Sequence, residues 1–100
     1  MTDLPLVSEP EADWDAEEAF RWYEEQRTGL GLEFLDELRS AYARILNGPQ
    51  EYQALRSGIR CAWLRRFLYG VYFAIEPRAI VVLAVLRASR DPATWQRRRG

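Results

Sequence analysis

Two spacings of apolar residues divide this chain, and the division limits what it can fold into. As far as Leu46 the apolar residues recur every three or four positions, whereas from Ile59 onward they alternate or run together. The first pattern builds amphipathic helices and the second builds strands. Helices formed early must therefore be covered by a sheet formed late.

Leu4 to Val7 predicts a short first strand. Ser8 then opens a helix, because Ser8 and Glu11 have capping-box spacing and Pro10 falls in the tolerated first turn. Ala12, Ala16, Ala19, Phe20 and Tyr23 share one face of that helix, and Glu17, Glu18, Glu24 and Glu25 form a solvated face. Gly29-Leu30-Gly31 punctuates the chain. A second helix follows, with Phe34, Leu35, Leu38, Tyr42, Ile45 and Leu46 as its stripe, and Asn47-Gly48-Pro49 ends it. So short a connection predicts an antiparallel helical hairpin.

Three strands follow. Ile59, Cys61 and Trp63 alternate with Arg60 and Ala62; Leu68 to Ile75 is aromatic and β-branched; Ile80 to Leu86 is continuously apolar and should be central. Glu76-Pro77-Arg78-Ala79 places proline at the second position of a tight turn, which makes the last two strands a hairpin. Asp91-Pro92 fits the start of a short terminal helix, Pro92 to Arg98, carrying Trp95. With 100 residues, 48 % of them hydrophobic, the chain supports one core and not two. The expected architecture is α+β, a single domain over residues 1–100: an N-terminal strand, an antiparallel helical hairpin packed on a twisted antiparallel sheet of about four strands, and a short C-terminal tail or helix.

Charge is distributed unevenly. Residues 1–55 hold 13 acidic residues against 4 arginines, and residues 56–100 hold 10 arginines against Glu76 and Asp91. An arginine-rich half fits an anionic partner, either nucleic acid or an acidic protein segment, since guanidinium pairs in bidentate fashion with phosphate and carboxylate. The alternative is that the two halves neutralise each other within the fold. No lysine and no histidine occurs. Arginine stays protonated and the usual general base is missing, so any catalysis must use carboxylates or tyrosines. Cys61 is the single cysteine, which excludes an internal disulfide and leaves no Cys/His cluster for zinc; no metal or other cofactor is expected. No apolar run reaches the roughly 20 residues that cross a bilayer. Asp3 and Glu9 stand where a signal peptide would be positive, so a cytoplasmic protein without membrane contact is expected.

Several strings, taken in order, resemble the RelE/ParE toxin superfamily of type II toxin–antitoxin systems, and its ParE-like members in particular. They are Trp22-Tyr23-Glu24-Glu25, Gly29-Leu30-Gly31 with Glu33-Phe34-Leu35, Arg65-Arg66-Phe67 leading into Tyr69 to Phe73, and Val82 to Leu86 followed by Arg90-Asp91-Pro92. The resemblance covers roughly Leu6 to Arg97. It implies a helical hairpin on a twisted antiparallel sheet and a partner antitoxin whose flexible segment wraps the toxin. RelE-like members cut messenger RNA in the ribosomal A site; ParE-like members inhibit DNA gyrase and need no nuclease chemistry. Neither acts on a small molecule.

The residues bear on that choice. A ribonuclease of this kind would draw on Arg65, Arg66, Tyr69, Arg87 and Arg90, but arginine supplies only the cation that steadies the phosphate. RelE-like ribonucleases carry a tyrosine or histidine near the C-terminus, where Trp95 stands here. Tyr69 and Tyr72 remain as bases, and each would need a strongly lowered pKa; both equally fit a packed sheet. A poison that acts by binding needs only an anchor surface, for which Arg87, Arg90, Trp95, Arg97 and Arg98 are the candidates. The bland reading of that tail is a solubilising segment. For the antitoxin, Ile59, Trp63, Leu64, Arg65, Arg66 and Tyr69 are expected at the contact, with Trp63 and Leu64 as ordinary core the alternative. A third possibility is a non-toxic member that only forms complexes.

Overall fold

The computed structural model describes residues 4–88. Their order is β1 (Leu6–Ser8), α1 (Pro10–Gln26), α2 (Leu30–Asn47), single 3₁₀ turns at Pro49–Glu51 and Arg56–Gly58, β2 (Ile59–Trp63), β3 (Tyr69–Ile75) and β4 (Ile80–Arg87). The four strands form one sheet in the order β1-β4-β3-β2. β2, β3 and β4 run antiparallel as expected, with Trp63 opposite Gly70 and Ile75 opposite Ile80. β1 instead lies parallel to β4, pairing Leu6 to Ile80 and Ser8 to Val82, so the sheet is mixed. β1 and β2 therefore point the same way, so the connection between them must cross the length of the sheet, which the two helices and the segment of 3₁₀ turns after them do together.

Both helix boundaries expected near Ser8 and Asn47 are refined by the structure. Ser8 belongs to β1, and its hydroxyl donates to Asp13 Oδ1 at 2.6 Å rather than capping the helix backbone. The N-cap is Glu9, whose own N–H donates to Val82 O at 2.9 Å, so strand pairing runs past Ser8 and the helix starts one residue later than the Ser8–Glu11 capping box would place it. α2 ends at Gly48, whose φ of −164° is extended backbone. Pro49 then opens a 3₁₀ turn, as its missing N–H permits.

Glu24, expected in solvent, is turned inward. Its two carboxylate oxygens accept the N–H groups of Gly29 and Gly31 at 2.9 and 3.0 Å, which caps the start of α2. Gly31 lies so close to α1 that a Cβ there would stand 2.7 Å from the Phe20 carbonyl oxygen. That contact sets how tightly the hairpin closes.

The helices bury Ala12, Ala19, Phe34, Leu38, Ala41 and Ile45 against Ala62, Val71, Phe73, Val82 and Val85 of the sheet. Near the β2–β3 loop the core is aromatic. Tyr23, Phe34, Phe67 and Tyr69 meet with ring centroids 4.8 to 6.0 Å apart, mostly edge to face, the arrangement their quadrupoles favour. On the opposite face Ile59, Ala74, Leu83, Ala84 and Leu86 are buried too. A register shift opposite Tyr72 and Phe73 lets Leu83 and Ala84 both turn that way, and it explains why β4 reads as one unbroken apolar run.

Candidate functional site

The loop between β2 and β3 is built by an acid on a helix. Glu37 of α2 presents Oε2 to the backbone N–H groups of Arg65 and Arg66, the latter at 2.7 Å, and Oε1 to Arg66 Nε at 3.3 Å. Burial alone would raise the Glu37 pKa. The N–H groups of Arg66 and Arg65 and the Arg66 guanidinium outweigh it and hold the carboxyl below the usual range. Arg66 also donates to Glu33 Oε1 at 3.1 Å, while Arg27 reaches the other Glu33 oxygen at 3.4 Å. The Arg66 hydrogen bond is the main cause of a lowered Glu33 pKa. The Arg66 guanidinium then lies 5.1 Å from the Phe67 ring centroid.

An open groove of about 560 Å³ runs beside this latch, lined by Glu33, Asp36, Glu37, Ser40, Arg44, Arg65 and Arg66. Part of the charge asymmetry is therefore consumed inside the fold, at Arg66. The Arg44 and Arg65 guanidinium groups form no ion pair among the described residues.

The residues expected at a partner contact separate into two sets. Ile59 is 0 % exposed, Leu64 6 % and Tyr69 7 %, so all three are packed inside the chain. Trp63 is 49 % exposed at the sheet edge, its ring 6.4 Å from Tyr72, and together with Arg65 and Arg66 it forms the accessible part of that surface. Arg87 lies elsewhere, at the end of β4, with its guanidinium 5.4 Å from the centroid of the Trp22 ring on α1. Arg90, Trp95, Arg97, Arg98 and the expected terminal helix fall outside the described residues.

The acid–base inventory can be tested residue by residue. Tyr72 is pushed up to about 12 by burial, reinforced by Cys61, which is the wrong direction for a base at neutral pH. Burial likewise pushes the Cys61 thiol to about 12, despite a favourable hydrogen bond with Tyr72, which removes it as a nucleophile. Tyr23 is raised, chiefly by burial and in part offset by Arg87. Tyr69 closes the aromatic cluster. Among the described residues no group of three metal-ligating side chains assembles, and no helix is long and apolar enough to cross a membrane.

Sequence reasoning missed the residues that organise these surfaces. Glu24 is expected on a solvated helix face, and no local pattern marks Glu37 or Asp15. Asp15 Oδ2 in fact accepts the Val85 N–H at 3.0 Å, covering the stretch of the β4 edge that the short β1 leaves bare. Their partners are backbone N–H groups 5 to 70 residues away, which no local pattern encodes. The Trp22–Arg87 stack was equally invisible.

A helical hairpin laid on a four-stranded sheet, with arginines on the loops and strand ends, defines a small domain of the RelE/ParE toxin fold. Residues 6–92 match the family described as ParE toxin of type II toxin-antitoxin system, parDE, and the chain belongs to that family. Among solved structures it is similar to a chain of the "Chromosomal ParDE TA system from P. aeruginosa", with a TM-score of 0.78 and 15 % identity, over 85 % of this chain and 96 % of that one. At that identity the likeness speaks for the fold. No curated protein sequence matches the chain.

Proposed function

We propose that this member of the ParE family is the growth-inhibiting half of a two-protein module, that it acts in the cytoplasm by binding a target such as DNA gyrase, and that a cognate antitoxin neutralises it. The observation that carries the binding mode is the state of the tyrosines. Tyr72 is pushed away from neutrality and Tyr69 is enclosed by aromatic rings, so among the described residues neither tyrosine is placed to take a proton from a ribose hydroxyl, and the carboxylates of Glu33 and Glu37 are committed to Arg66 and to the loop backbone. Trp63, Arg65 and Arg66 form the antitoxin contact, with Ile59, Leu64 and Tyr69 as the packed floor that holds them. The target contact uses Arg87 together with Arg90, Trp95, Arg97 and Arg98.

Purified chain added to gyrase should block supercoiling at stoichiometric amounts and leave translated messages uncut. Cleavage of messages on the ribosome would reject the reading in favour of a RelE-like ribonuclease. Expression without the partner should slow growth, and unimpaired growth would leave only a non-toxic, complex-forming member. Arg65→Glu should weaken antitoxin affinity in titration calorimetry, because that guanidinium forms no ion pair among the described residues; unchanged affinity would remove it from the contact.

A further inference from the structure

The groove beside the Glu37 latch holds more positive charge than the fold uses. Glu33, Glu37, Ser40 and Arg44 follow one another at three- and four-residue spacing, so they form one stripe along α2. Arg65 and Arg66 of the β2–β3 loop complete the lining of its 560 Å³ with Asp36. The three acids of the groove are each answered within the chain. Glu33 pairs with Arg66 and Arg27, Glu37 with Arg66, and Asp36 with Arg39 at 2.8 Å. Three arginines thus match three carboxylates, and the Arg44 and Arg65 guanidinium groups are left over, with no ion pair among the described residues. Arg44 is nevertheless half-buried. Its charge loses part of its hydration there without gaining a carboxylate, a deficit that an incoming anion repairs. Ser40, exposed one turn before Arg44, adds a hydroxyl donor on the same stripe.

We propose that this groove seats an acidic peptide segment whose carboxylates pair with Arg44 and Arg65. Under the antitoxin reading above, on which this assignment rests for the partner, the antitoxin supplies that segment. Its contact then continues from Trp63 at the sheet edge, around the β2–β3 loop and onto α2. The charge pattern selects a polypeptide over a nucleic acid. A nucleic acid carries a phosphate at every nucleotide, and a strand lying along the stripe would bring some of them over Glu33, Asp36 and Glu37. A peptide can set carboxylates at Arg44 and Arg65 and neutral side chains between them. Each carboxylate also matches the fork of a guanidinium in bidentate fashion. The latch prepares one half of the site, because Glu37 holds the Arg65 backbone and the guanidinium is presented by a loop already ordered.

The test follows the isotope-labelled whole chain by NMR during addition of a capped decapeptide that alternates glutamate with alanine, beside a uridylate oligomer of equal charge. The side-chain Nε–Hε signals of Arg44 and Arg65 should move with the peptide, and that of Arg78, exposed in the β3–β4 turn, should stay. Arg44→Gln and Arg65→Gln should each weaken peptide binding by about tenfold, the loss expected of one hydrogen bond to a charged group. The uridylate should bind more weakly than the peptide. Arg44 stands in the last turn of α2, where a cation also offsets the negative end of the helix dipole. If that were its whole role, Arg44→Gln would lower the urea midpoint and leave peptide affinity unchanged, which overturns the assignment. Equal shifts at Arg78, or tighter binding of the uridylate, overturn it as well. Should Arg44→Gln disturb the fold, Arg65→Gln gives the same reading on an exposed side chain whose loop is held through its backbone, and unchanged affinity there rejects the site. These readouts do not depend on toxicity. Peptide binding lost in both variants without growth inhibition by the parent chain would support the groove and reject the toxin reading, and growth inhibition with no peptide binding would do the reverse.

Discussion

Removing the carboxylate of Glu37 tests the latch on which the candidate contact depends. In Glu37→Ala the N–H groups of Arg65 and Arg66 lose their acceptor, and the Arg66 guanidinium loses one of its two acid partners. A hydrogen bond to a charged group contributes about 1.5–3 kcal/mol where it is shielded. The Glu37 side chain is only 13 % exposed, yet the loop donors stand near solvent and water replaces part of the loss. Setting each backbone bond near about 1 kcal/mol gives a destabilisation of about 2 kcal/mol, or about 10 °C in Tm for a domain of this size. The sign with pH follows from the lowered pKa of Glu37. A carboxyl whose folded pKa is depressed contributes fully above its unfolded value, near 4.3, and loses that contribution as pH falls through the folded value. Urea titrations followed by far-UV circular dichroism should therefore separate variant and parent at pH 7 and narrow the gap as pH falls below the ordinary carboxylate range. Equal stability at pH 7 would refute the latch. A gap undiminished in acid would refute its electrostatic origin.

Gly31→Ala should destabilise the chain by about 1–2 kcal/mol, because overpacking against the Phe20 carbonyl outweighs the roughly 1 kcal/mol that alanine gains in a helix; an unchanged or raised urea midpoint would show that the hairpin tolerates a wider spacing. The Cys61 thiol, pushed to about 12 by burial, should react with a water-soluble disulfide reagent at pH 8 roughly a hundredfold more slowly in the native chain than in urea. Equal rates in the two states would contradict its packing against Gly70 and Tyr72.

The apolar periods alone determined where helices and strands form, because a helix face and a strand face each impose a local spacing that packing then fills. They placed both helices, the β3–β4 hairpin and a central β4 within a residue or two, and the ordered strings from Trp22 to Pro92 carried the family. Only the tertiary structure decided that β1 pairs parallel with β4, that Glu24, Asp15 and Glu37 serve backbone N–H groups rather than solvent, and that Tyr69 is core while Trp63 faces outward. Those outcomes depend on which segments become neighbours in space. A carboxylate on a helix looks the same in sequence whether it meets water or the end of a distant strand, and the energy that distinguishes the two exists only once the chain has closed around it.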